Sequence, residues 1–232
     1  MSEFKFTRPN AFPPVVKNLT IIHVLVFVAQ MTVGEQFKLE NLFALHDVRS
    51  VYFQPHQIVT HLFMHGSVTH ILFNMLALWM FGAQLENYWG AKRFFIFYFV
   101  SGLGAALLHL LVLYYELTPV IEQFNHLPAE MQLDLINDPN YKVNIPTVGA
   151  SGAVFGCLAA YGYLFPNTLI YLYFAIPIKA KWFVIIYAAL ELYMGVRNSA
   201  GDNVAHFAHL GGALAGIILV LIWNKTNRKT LY

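Results

Sequence analysis

Residues 149–156 read Gly149-Ala150-Ser151-Gly152-Ala153-Val154-Phe155-Gly156, "GASGAVFG", shortly after Pro146 and at the mouth of a long apolar run. Each glycine inside a helix costs about 1 kcal/mol relative to alanine, so helix propensity does not explain three of them in eight residues. Close approach of helix backbones does explain them. The remaining question is what a serine hydroxyl meets among residues this small.

The chain around this stretch has 232 residues, 58% of them hydrophobic and only 11% charged, with a positive mean hydropathy. That balance lies far from a soluble domain of this length and predicts an integral membrane protein. The single cysteine, Cys157, permits no intramolecular disulfide, and a net charge of +2 is too small to suggest nucleic acid. The opening "MSEFKFTRPNAFPPVVKN" lacks an apolar core followed by a cleavage site, so the first apolar run is expected to stay in the mature protein.

Runs long enough to cross about 30 Å of hydrocarbon fall at 17–34, 67–85, 93–115, 147–165 and 204–223. A shorter run at 181–195, bounded by Lys181 and Arg197, counts as a sixth span. The expected fold is therefore all-α: a six-transmembrane-helix bundle. The stretch "VYFQPHQIVTHLFMHG" at 51–66 holds a proline and three histidines, and reads as a partly membrane-embedded lateral loop between helices 1 and 2. "TLIYLYFAIP" at 168–177 is β-rich and ends in proline, as an interfacial connector would, and 116–146 is polar enough to be a solvated loop.

With six spans, Lys5, Arg8, Lys17, Lys92, Arg93, Lys179, Lys181, Lys225, Arg228 and Lys229 fall on one side, against Lys38, Arg49, Lys142 and Arg197 on the other. The positive-inside rule places both termini in the cytoplasm. The expected organisation is a tail over 1–16, a membrane domain over 17–224 and a tail over 225–232. Short soluble ends favour a bacterial inner membrane.

Polar groups inside apolar spans are expensive, which makes His70, Asn74, Ser151, Glu191, His206 and His209 the informative residues. If Ser67 caps the second span, then His70, Asn74, Ser151 and His209 all lie within about 10 Å of the outer helix ends. His70 and Asn74, four residues apart, share one helix face. Gly149, Gly152 and Gly156 on the fourth span, with Gly212 and Gly216 on the sixth, let those two helices meet. Ser151 then comes within reach of an imidazole.

A serine hydroxyl is a poor nucleophile until a base takes its proton, and His209 or His206, one turn apart, can each serve. Oxyanion donors would be His70, Asn74 and the Ser151 amide. No aspartate accompanies them in the spans, so a Ser–His dyad is expected rather than a triad. Each residue also has a plain structural use. A membrane-helix serine commonly bonds its own backbone, a buried histidine or asparagine commonly bridges helices, and Phe155 can be ordinary packing. Glu191 has no evident partner in sequence and reads as an interior structural or gating residue.

"HGSVTHILFNMLALWMFG" on the second span, "GASGAVFG" on the fourth and "AHLGGALAG" on the sixth, in this order and spacing, resemble the rhomboid intramembrane serine proteases of the six-helix bacterial type. The resemblance covers roughly residues 50–223. It implies that Ser151 is the nucleophile and that His209, just before Leu-Gly-Gly, is the general base. It also implies that His70, Asn74 and the Ser151 amide form the oxyanion site, that Phe155 packs on His209, and that Glu86 anchors helix ends. Many relatives carry Trp-Arg in the lateral loop where this chain has His56-Gln57.

The implied partners are single-span membrane proteins, cleaved near the outer end of their helix, together with membrane lipids. Neither a cofactor nor an obligate protein partner is expected. The loop at 51–66 and the fifth span would flank substrate entry. Two rivals follow from the same residues. One is a non-catalytic relative that binds transmembrane helices. The other is a metalloenzyme using His61, His65, His70, His206 and His209, which lacks the HExxH pattern and any carboxylate evident near those histidines.

Overall fold

A computed structural model describes residues 9–172, 175–197 and 205–228, without the side chains of 226–228. Lys5, Arg8 and Lys229, which entered the charge comparison, lie outside them, as do the ends of both tails.

The first helix, α1 (Pro14–Val33), begins with a proline at its first position, where a missing N–H costs nothing. Its next two amides are taken by one buried carboxylate: Val15 N–H donates to Glu86 Oε1 at 2.9 Å and Val16 N–H to Oε2 at 2.8 Å. Glu86 thus ties the start of α1 to the end of the second long helix, as the resemblance implied. Val16, Leu19 and His23 face inward, while Ile21, Leu25, Val28 and Met31 lie on the outer surface.

Short helices α2 (Leu39–Phe43) and α3 (Gln57–Thr60) and a 3₁₀ turn at His61–Phe63 organise the segment that follows. Gln57 and His56 anchor it. The fully buried Gln57 donates from Nε2 to the carbonyls of Asn41 (2.9 Å) and Tyr52 (2.8 Å), and His56 donates to Leu42 O (2.7 Å). Arg49 donates to the Asp47 carboxylate and reaches Leu113 O on the third long helix at 3.2 Å; the hydrogen bonds it makes to Asp47 hold its guanidinium above its ordinary pKa. An isolated bridge pairs Leu45 with Thr147.

The second long helix runs as α4 (Val68–Ala77), a π-helical turn at Leu78–Gly82 and α5 (Ala83–Trp89). Ser67 caps it by accepting from His70 N–H at 3.1 Å. After Gly90 comes α6 (Ala91–Asn125), whose 35 residues span about 52 Å at 1.5 Å per residue. The solvated loop expected over 116–146 is therefore mostly ordered: α6 continues through Pro119 to Asn125, α7 (Ala129–Asn137) follows, and Lys142–Asn144 form a 3₁₀ turn. Glu116, Glu122 and Gln123 are good helix formers despite their polarity and carry the helix onward.

The helix α8 (Ser151–Leu164) has 14 residues and is buried along nearly its whole length, from Gly152 to Gly162. The 168–177 connector is a β-hairpin of β1 (Leu169–Leu172) and β2 (Ile176–Lys179), antiparallel with Ile170 opposite Ile178, the one pair of strands among the described residues of a mostly helical fold. Last come α9 (Ala180–Arg197), whose buried residues are Ala180 and Glu191, and α10 (His206–Arg228). Among the described residues, four helices are long and apolar enough to cross a membrane: Pro14–Val33, Val68–Trp89, Ala91–Asn125 and His206–Lys225.

Small residues set the packing around α8. A Cβ on Gly152 would fall on the Ala105 methyl of α6 and lie 3.3 Å from Ala208 O of α10; one on Gly156 would fall on Ser101 of α6 and lie 3.0 Å from Gly212 O. The glycines therefore admit two neighbours, α6 as well as the α10 expected from sequence. Below them Phe94, Phe97, Tyr98, Leu78, Leu85 and Cys157 form the core.

Candidate active site

Because α8 starts at Ser151, the serine sits on the first helical turn rather than a turn inside, and its backbone N–H belongs to the set that no intrahelical carbonyl accepts. Above it opens a cavity of about 860 Å³, lined by His70, Asn74, Ser151, Phe155 and His209 among others. On its flanks lie Phe73 and Phe81 of the second helix and Phe183 and Tyr187 of α9. The 51–66 segment contributes only His61 and Gly66 to this wall.

Ser151 Oγ lies 2.8 Å from His209 Nε2, a hydrogen-bond distance with the hydroxyl as donor. His209 stacks on Phe155, with ring centroids 4.2 Å apart and planes inclined by 3°, and Phe155 in turn meets Tyr187 at 4.8 Å. Spacing left His206 and His209 as alternatives; only His209 faces the serine. His206 lies beside it, 6.4 Å ring to ring.

His70 and Asn74 both reach the cavity, as their shared face predicts, with Asn74 buried and His70 half-buried. The Gly66 N–H approaches His70 Nδ1 at 3.4 Å, which leaves Nε2 as the hydrogen-bearing nitrogen of a neutral ring. Gly149 lies next to that ring, not in the helix contact. Its φ is +131°, outside the range L-residues favour, and a Cβ there would stand 2.8 Å from His70 Nε2. Its own N–H donates to His61 O at 3.0 Å.

The sequence offered no partner for Glu191 and no carboxylate near the histidines, and the structure corrects both expectations. Glu191 Oε2 accepts from His206 Nδ1 at 2.7 Å and from His209 Nδ1 at 2.8 Å, all three residues being buried. The three ligand atoms lie within 4.8 Å of one another, a group that can hold a metal ion as well as a proton network. The signal for it was present. His206 and His209 are one turn apart on one face, so a single acid from a neighbouring helix can meet both. His109 also escaped notice; its Nε2 is 2.7 Å from Thr147 Oγ1.

A helical membrane protein in which a serine and a histidine meet at the floor of a cavity of this size defines a narrow class. A family model described as Rhomboid domain matches residues 52–225, and the chain belongs to that family. It is 31% identical over 166 residues to Rhomboid protein 1, mitochondrial, of Saccharomyces cerevisiae, covering 69% of this chain and 40% of that one. It is 30% identical over 173 residues to Rhomboid protease AarA of Providencia stuartii (69% and 53%). It is 26% identical over 220 residues to Rhomboid protease GlpG of Salmonella choleraesuis (93% and 65%). The chain thus spans less than two thirds of the length of each.

Proposed function

We propose that this chain is an intramembrane serine endopeptidase that cleaves transmembrane segments of other membrane proteins. The observation that carries the reading is the 2.8 Å contact between Ser151 Oγ and His209 Nε2 at the floor of the cavity. In the reaction, His209 Nε2 takes the Ser151 proton as Oγ attacks the scissile carbonyl. The resulting oxyanion accepts from His70 Nε2–H, the Asn74 amide and the Ser151 N–H. His209 then returns its proton to the leaving amine, and water hydrolyses the acyl-enzyme by the same steps. Gly149 and Gly152 keep bulk away from His70 and from the helix contacts, and Phe155 holds the base ring in place.

In this reading α8 and α9 join the four longer apolar helices as fourth and fifth spans, within a membrane domain over 17–224. The helix α8 is surrounded by protein, so its length need not match the bilayer. The 51–66 loop is partly immersed, and the charge asymmetry puts both ends on the cytoplasmic side of a cell membrane. Peptide hydrolysis needs water and an extended backbone, and a cavity open to the outer side provides both to a single-span substrate unwound at its end.

The test is cleavage of a labelled single-span protein by the chain reconstituted in liposomes. Ser151→Ala and His209→Ala abolish cleavage, His206→Ala retains part of it, and a fluorophosphonate labels Ser151. Undiminished cleavage by the two inactive-site variants would refute the assignment. Activity lost to a chelator yet kept by Ser151→Ala would favour the metalloenzyme.

A further inference from the structure

We propose that Glu191 is a positioning residue for the Ser151–His209 pair, converting the expected dyad into a Ser–His–Glu arrangement whose acid is supplied by α9. The inference rests on the reading of Ser151 as nucleophile and His209 as base. A carboxylate 5% exposed inside an apolar bundle requires compensation, and here both compensating donors are imidazole Nδ1–H groups on α10.

A neutral imidazole carries one N–H. With that hydrogen on Nδ1 of His209, donating to Glu191 at 2.8 Å, the lone pair of Nε2 faces Ser151 Oγ at 2.8 Å and can take its proton. The other tautomer would set a lone pair against the carboxylate and an N–H against the hydroxyl oxygen. Glu191 therefore selects the tautomer that can act as base. Once His209 is protonated, the same carboxylate lies against the imidazolium edge while the Phe155 ring covers its face. The second bond, from His206 at 2.7 Å, fixes the direction of the shared oxygen.

The helix that carries the acid makes the arrangement conditional. Ala180 and Glu191 are the buried residues of α9, and the rest of that helix, apolar between Lys181 and Arg197, is outward-facing or only partly covered. Glu191 reaches the base only while α9 is seated against α10. The base is set by the same helix that flanks the cavity through Phe183 and Tyr187.

The experiment uses the full chain in liposomes with the labelled single-span substrate. It compares wild type, Ser151→Ala, Glu191→Gln and Glu191→Asp over roughly pH 5 to 9, the range that brackets imidazole titration. The other titratable groups acting on the cluster are Tyr187 on α9, His206 on α10, His70 on α4 and His109 on α6, and all are kept. Glu191→Gln is expected to lower kcat by about 10²- to 10⁴-fold at similar KM, as when the acid behind a base histidine becomes an amide. Its acid limb in kcat should move by about one pH unit, fluorophosphonate labelling should slow in parallel, and Glu191→Asp should recover roughly tenfold or more.

Wild-type kcat and an unmoved limb in Glu191→Gln, with Ser151→Ala inactive, would overturn the role of Glu191 alone. Cleavage by Ser151→Ala would overturn the nucleophile reading and this inference with it. Loss of wild-type activity to a chelator, restored by Zn²⁺, would overturn it in favour of a metal held by Glu191, His206 and His209. If Glu191→Gln fails to fold by thermal melting, Glu191→Asp decides: a displaced limb supports the inference and a wild-type limb and kcat overturn it.

Discussion

A single methyl group added at Gly152 tests whether helix spacing sets the chemistry. In Gly152→Ala the new Cβ would occupy the place of the Ala105 methyl on α6, with Ala208 O of α10 at 3.3 Å on the other side. Ordinary carbon contacts need about 3.5–4.0 Å, so α8 must move away from α6 by on the order of 1 Å. The Ser151 Oγ–His209 Nε2 distance of 2.8 Å lengthens past hydrogen-bond range after a displacement of that size. Overpacking of this kind costs about 1–3 kcal/mol, and a 1 Å misplacement at a reacting pair costs about 10²-fold in rate. Gly152→Ala should therefore lower Tm and reduce kcat about a hundredfold with little change in KM.

Removing the opposing methyl completes the test. In the double variant Gly152→Ala with Ala105→Gly the methyl is moved across the same interface, and the helix propensities of the two changes offset to within a few tenths of a kcal/mol. It should regain most of the lost kcat and stability. The assay is substrate cleavage in liposomes beside thermal melting of the same preparations. A Gly152→Ala enzyme with wild-type kcat, or a double variant no better than the single, would refute the claim that α6 and α8 spacing positions the serine.

Three further outcomes are expected. Glu86→Ala leaves the Val15 and Val16 amides at the start of α1 without acceptors, which should cost about 1–3 kcal/mol in stability, read as a lower Tm, while fluorophosphonate labelling of the folded fraction is unchanged. Gly149→Ala forces an L-residue into φ +131° and a methyl onto His70, so it should destabilise by at least about 1 kcal/mol and depress kcat more than Tm predicts. His46, outside the helical spans, is held below its ordinary pKa of 6.5 by burial, against the bonds to Gln57 and Ala44. Its opened form binds the proton first, so the 39–60 segment is most stable above about pH 6.5 and loses stability as pH falls below it. Hydrogen-exchange protection there, taken relative to the intrinsic amide rate at each pH, should fall at acid pH in wild type and less so in His46→Asn; protection that rises as pH falls would contradict this.

Local chemistry made much of this legible. Ser67, placed before an apolar run, reads as a cap because its hydroxyl can accept an N–H three residues on, and it does. The small residues of "GASGAVFG" and "AHLGGALAG" signal close backbones because only Cα hydrogens permit such contact. What they do not specify is the number of neighbours, and α6 enters through Ser101 and Ala105, a small-xxx-small pair in Ser101-Gly102-Leu103-Gly104-Ala105 that lies outside those two motifs. Glu191 was visible as an expensive charge, but its two partners are 15 and 18 residues away on another helix, a separation that only packing resolves. Over 116–146 polarity was mistaken for lack of structure. A helix leaving an apolar layer keeps its hydrogen bonds and changes only its side chains, so α6 runs on to Asn125.

The shortness of α8 links the fold to the chemistry proposed for it. At 1.5 Å per residue its 14 residues cover about 21 Å, less than the roughly 30 Å of hydrocarbon that a lipid-facing helix must satisfy. A protein jacket removes that requirement, because α4, α6, α9 and α10 rather than lipid enclose it. Were α8 longer by two turns, the amides near Ser151 would be bonded to carbonyls of the preceding turn, and side chains would fill the space above. Ending the helix at Ser151 instead leaves the first-turn N–H groups and the positive end of the helix dipole facing the cavity where an oxyanion would form. Burial of most of the helix, from Gly152 to Gly162, is thus what allows water and unpaired donors to be concentrated at this one end.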